Sequence, residues 1–134
     1  MTSSLLGLLA YEDIVRELAL AYPESREERI KSGKKNEYGE EIEDCIFKVR
    51  DKTFAVLGWE RGSFWISVKL LDSRRDALKK IFARPEPAEL GQHGWVRCVF
   101  GPGDEFTLGL VTDWIEESFR LVAPKKLLGR MDQC

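Results

Sequence analysis

Residues 63–70 alternate without a break: Phe64, Ile66, Val68 and Leu70 fall on one side, Ser63, Trp65, Ser67 and Lys69 on the other. A β-strand, whose side chains point by turns to opposite faces, converts a period of two into one apolar and one polar surface. The same period comes before it. Cys45, Phe47 and Val49 alternate with Ile46, Lys48 and Arg50 over residues 45–50, and residues 53–59 form another apolar run. The intervals leave room only for tight turns, at Asp51-Lys52 and at Arg61-Gly62. Strands joined this way are antiparallel. Residues 95–100 add a fourth strand, with Val96, Cys98 and Phe100 inward and Trp95, Arg97 and Val99 outward.

Helical periodicity surrounds these strands. Ile14, Val15, Leu18 and Ala19 line one side of residues 11–22, and Pro23 ends that helix. Asp72 or Ser73 caps a predicted helix reaching about residue 83, with Ala77, Leu78, Ile81 and Phe82 as its stripe. Arg84-Pro85-Glu86-Pro87 stops it, and residues 91–94 read as loop. From about 107 to 122, Leu108, Val111, Ile115, Phe119 and Val122 keep the three-four spacing of a buried helix face. Residues 24–44 are mostly charged, with Gly33, Asn36 and Gly39 breaking any period, so a solvated loop is predicted there. Apolar strand faces must be covered by amphipathic helices. The expected fold is therefore α+β, a two-layer sandwich with helices packed on one face of an antiparallel sheet.

At 134 residues the chain fits one domain, 1–134, with 1–10 a flexible start and 128–134 a tail. Net charge is −2, which excludes a globally basic nucleic-acid binder. The charge is uneven, however: residues 69–84 hold 6 bases against 2 acids, while residues 1–44 hold 11 acids against 6 bases. Cys45 and Cys98 lie inside apolar runs and Cys134 is the last residue, a pattern of free thiols in a reducing compartment. The apolar cluster Leu5, Leu6, Leu8 and Leu9 follows no basic segment and is too short to span a bilayer. A cytoplasmic protein without membrane contact is expected.

His93 is the only histidine, so neither a Ser-His-Asp triad nor a histidine metal cluster can be built. The glycines form no phosphate-binding loop and no dinucleotide fingerprint. No catalytic residue, metal or cofactor is expected, and the chain reads as non-enzymatic. One constellation carries chemistry. If the apolar strand faces meet the helices, the opposite sheet face presents Lys48, Arg50, Trp65, Lys69, Trp95 and Arg97. Aromatic rings offer stacking surfaces, and adjacent cations attract phosphates or carboxylates. Lys125 and Lys126, with Arg130, form a further basic end.

Taken in order, several segments resemble the MmcQ/YjbR family of small bacterial proteins. They are Tyr11-Glu12-Asp13, Ala19-Leu20-Ala21-Tyr22-Pro23, Phe47-Lys48-Val49-Arg50-Asp51-Lys52-Thr53-Phe54-Ala55, Val68-Lys69, Gly94-Trp95-Val96, and the run from Glu117 through Pro124 to Leu127. The resemblance covers about residues 10–128. It implies a CyaY-like (frataxin-like) fold and a DNA-binding role, brings no catalytic residues, and rests its binding positions on Lys48, Lys69, Trp95, Lys125 and Lys126. The chain departs from the family in its acidic 24–44 segment. Three occupants follow from these readings: DNA on the aromatic and basic face, a small anionic molecule or peptide held there between Trp65 and Trp95, and iron on the acids of the first helix and the 24–44 loop. The last is weakened by Arg16 among those acids.

Overall fold

The computed structural model describes residues 5–133. Its strands are β1 (Ser25–Lys35), β2 (Glu41–Val49), β3 (Lys52–Glu60), β4 (Ser63–Lys69), β5 (Ala83–Pro85) and β6 (Trp95–Phe100). They make one antiparallel sheet in the order β1-β2-β3-β4-β6-β5. The helices are α1 (Leu5–Leu20), α2 (Arg74–Ala77), α3 (Ala88–Gln92), α4 (Leu108–Val122) and α5 (Lys125–Asp132). Helices α1 and α4 pack on one face of the sheet. The α+β sandwich expected from the alternating runs is the fold.

The core lies between these layers. Phe47, Phe54, Phe64, Phe100 and Phe119 are fully buried, each such ring contributing about 1.5–3 kcal/mol over leaving it in water. Phe119 meets Phe54 edge-on at 5.1 Å and stacks against Tyr22 at 4.6 Å. Next to Phe119, the buried Ser118 does a strand's work. Its Oγ accepts the Lys69 N–H at 2.9 Å and donates to the Phe54 carbonyl. The β3–β4 ladder runs only as far as Ala55 and Val68, so α4 supplies the next link through this hydroxyl. One residue earlier, Glu117 accepts the N–H groups of Leu71 (2.8 Å) and Ser73 (3.2 Å) and fixes the chain leaving β4.

Four segments differ from the sequence reading. The predicted loop 24–44 is largely the hairpin β1–β2. The predicted helix to residue 83 is the single turn α2 followed by β5; Phe82 packs on Phe100 at 4.8 Å, while Ile81 stands fully exposed. Helix α1 starts at Leu5, and Leu8 is completely buried, so the helical layer begins before residue 11. Residues 125–132 of the C-terminal end form α5, which buries Leu127. The first hairpin turn is also one residue earlier than predicted, at Arg50-Asp51, since Val49 pairs with Lys52.

Cys45 and Cys98 are buried free thiols. They sit on β2 and β6, with β3 and β4 between them, a separation of about 14 Å at the spacing of neighbouring strands. No disulfide can join them. Cys134 lies outside the described residues.

Candidate nucleic-acid interface

The sheet's outer face is set by strand parity. Register pairs Ile46 with Val56, Val56 with Ser67, Ser67 with Arg97 and Arg97 with Arg84, so these side chains form one row across the sheet. A second row joins Gly58, Trp65 and Val99, and a third joins Lys69 to Trp95. The sequence placed Trp65, Lys69, Trp95 and Arg97 on this face, and the register puts all four there.

Their accessibility differs from what an open stacking platform needs. Trp65 is only 6% exposed. Gly58 makes room for it: a Cβ there would sit 2.3 Å from the indole. Arg97 closes the ring from above, its guanidinium 3.9 Å from the ring centroid, a cation–π contact. Glu86, itself buried, holds that guanidinium with bonds of 2.8 and 3.1 Å and accepts from Ser67 Oγ at 3.3 Å. The pair is internally neutral and Trp65 is covered, so the expectation of a free ring and a free cation at the centre of the face is corrected. Glu86 stands between two prolines and carries no periodic signal. Gly58 did carry one: a glycine inside a strand marks a close approach by something large.

The other cations divide the same way. Lys48 Nζ meets Glu28 at 3.2 Å, because the unrecognised strand β1 lays a carboxylate beside it. Arg50 is a turn residue in the left-handed region (φ 56), held by Glu24 at 2.7 Å, rather than a member of the sheet face. The hydrogen bond from Arg50 holds the Glu24 carboxyl below its usual range. Asp44, beside Trp65, has its carboxyl pushed up by burial, and adds an acid to the centre of the face. Lys125 and Lys126 are exposed on the first turn of α5, in the helical layer. Among the described residues, Lys69 and Arg84 form no salt bridge. Lys69 lies opposite the half-buried Trp95 across β4–β6, and Arg84 lies opposite Arg97 across β6–β5, at the same side of the face.

A family model for YjbR matches residues 20–121, most of the chain. The chain belongs to the YjbR family. As a YjbR-family chain it carries its matched span from the end of α1 through α4, so every strand and the whole outer face lie inside it. No curated protein matches it. No helix among the described residues is long and apolar enough to cross a membrane.

Proposed function

We propose that this chain is a non-enzymatic binding protein that contacts the phosphate backbone of DNA with one side of its outer sheet face. Lys69 and Arg84 supply the charge and Trp95 the adjoining ring. The observation that carries the reading is that these two cations keep no carboxylate partner, while Lys48, Arg50 and Arg97 each have one. A cation already paired and partly desolvated has little attraction left for a phosphate, whereas an unpaired one releases the phosphate's counterions on contact. Family membership supports the reading, and the sequence resemblance points to the same ligand.

Titration of labelled single- and double-stranded DNA at low salt tests it. Binding is expected within about 10⁻⁴–10⁻⁶ M, as for non-specific backbone contacts. Lys69→Ala with Arg84→Ala should abolish it, and Lys48→Ala should leave it nearly intact. Absence of binding at tens of micromolar protein, or equal loss in all variants, rejects the reading.

A further inference from the structure

At the end of the sheet opposite Lys69 and Trp95, two hairpin tips border a cleft of about 680 Å³. That volume falls within the range of about 300–1,000 Å³ typical of small-molecule sites. Tyr38, Ile42 and Trp59 give it apolar walls, and Lys35 and Arg61 give it cations.

Both tips are built firmly. In the β1–β2 tip, Asn36 Oδ1 accepts the N–H groups of Tyr38 and Glu40, each at 2.9 Å, and the Asn36 N–H donates to the Glu40 carbonyl at 2.9 Å. This scaffold holds Tyr38 80% exposed, with no ring partner among the described residues. On the facing tip, Trp59 is fixed by a hydrogen bond from Nε1 to Glu12 and by packing on Phe64 at 5.6 Å.

Arg61 is the second unusual residue. It and Gly62 form a two-residue turn with φ 52 and φ 77, both left-handed, a conformation that Asn or Gly adopts at less cost than Arg. Strain of this kind persists where a side chain is needed in place. Arg50, equally left-handed, is held by Glu24; Arg61 has no salt bridge among the described residues. Glu60 in the same cleft is held by Lys34 at 3.0 Å, so Lys35 and Arg61 outnumber the remaining acid, Glu37.

We infer that this cleft binds a nucleoside monophosphate, its base stacked on Tyr38 and its phosphate between Lys35 and Arg61. An exposed aromatic ring beside two unpaired cations matches a ligand that joins a planar ring to an anion. The inference goes beyond the DNA reading and uses none of its residues.

Calorimetric titration of the full chain with AMP tests it, with Trp59 fluorescence as a second readout. Saturable binding is expected, weakened about tenfold or more by Tyr38→Ala, in line with the loss of one stacked base. Arg61→Gly should weaken it comparably while raising the thermal midpoint, since glycine relieves the left-handed backbone; lost binding is then not lost folding. Adenosine and inorganic phosphate should each bind at least tenfold more weakly than AMP, and the Lys69→Ala/Arg84→Ala pair should bind AMP as wild type does. No AMP binding at millimolar concentration, unchanged affinity in Tyr38→Ala, or adenosine or phosphate matching AMP overturns the inference. Failure of DNA binding with AMP binding intact rejects only the DNA reading, and the converse rejects only this one.

Discussion

Ser118 shows how much one atom can carry. Its hydroxyl satisfies an N–H on β4 and a carbonyl on β3 where the two strands part, inside a fully buried site. Ser118→Ala leaves both groups without a partner and without water, so it should cost about 2–4 kcal/mol, read by chemical denaturation. A loss below about 1 kcal/mol would mean that the strands re-pair without it. Gly58 is a second point of this kind. Gly58→Val must displace the Trp65 indole and break the Arg97 contact, so it should cost about 1–3 kcal/mol and open Trp65 to acrylamide quenching. Cys45 and Cys98 complete the set. Burial pushes the Cys98 thiol up to about 12, and burial together with Glu27 pushes Cys45 up to about 11. Raised values keep both thiols protonated in the fold, so their contribution to stability is intact below an unfolded thiol's value of about 8.5 and is lost as pH climbs toward the folded ones. In a Cys134→Ser background neither should react with iodoacetamide at pH 8 before the protein unfolds. Labelling at the rate of a free thiol would contradict this.

The elements differ in how well their sequences announce them. Strand β4 alternates in sequence although Trp65 and Ser67 on its outer face are buried too, and β3 reads as one apolar run. Strands β2 and β6 were legible because each buries one face and leaves the other half-exposed, which forces alternation. Helix α4 was legible for the same reason at the helical period. Strand β1 was not. It is an edge strand near the rim of the helical layer, and both its faces carry charge, a common protection for an exposed edge. Its inner face is polar because α1 meets it with Arg16, which holds Glu27 at 2.9 Å. The helix predicted over 72–83 failed differently: Ala77, Leu78 and Phe82 do pack inward, but Phe82 accepts the Val99 N–H at 2.9 Å, and sheet pairing overrides the helical period. The Arg16–Glu27 contact is the polar joint between α1 and β1. Burial pushes the Glu27 carboxyl up, but Arg16 and its other partners outweigh that and hold it below its usual range. A lowered value stabilises the fold above the unfolded carboxyl's titration and loses that contribution as pH falls through the folded value. Glu27→Gln should therefore cost about 1–2 kcal/mol near neutrality, the partial exposure of both groups limiting the loss, and little at pH 3. Equal cost at both pH values would show that the charge does not hold the joint.

At the scale of the whole molecule, 21 bases face 23 acids, and the fold pairs many of them across elements that lie far apart in sequence. Glu24 joins Arg50 of the β2–β3 turn to Arg130 of α5; Glu28 of β1 answers Lys48 of β2. Composition could supply the net charge, and strand parity could supply the face. Neither could say which cations would be spent internally, because that depends on β1 and on the Glu86 segment, both invisible to periodicity. This pairing sets a quantitative expectation for DNA binding. A protein that neutralises Z phosphates loses affinity with salt at a log–log slope of about −0.7Z on single strands and about −0.9Z on B-DNA. If all six residues predicted for the sheet face were available, its four cations Lys48, Arg50, Lys69 and Arg97 would give a slope of about −3 to −4. With Lys69 and Arg84 the cations of this face that form no salt bridge among the described residues, the slope should be about −1.5 to −2. Measured affinities between low and moderate salt separate the two values. A slope near −4 would require the Lys48–Glu28, Arg50–Glu24 and Arg97–Glu86 pairs to open on binding. In that case Glu86→Ala, which frees Arg97 and uncovers Trp65, should strengthen binding, whereas with the pairs closed to DNA only Lys69→Ala and Arg84→Ala should flatten the slope, by about one unit each.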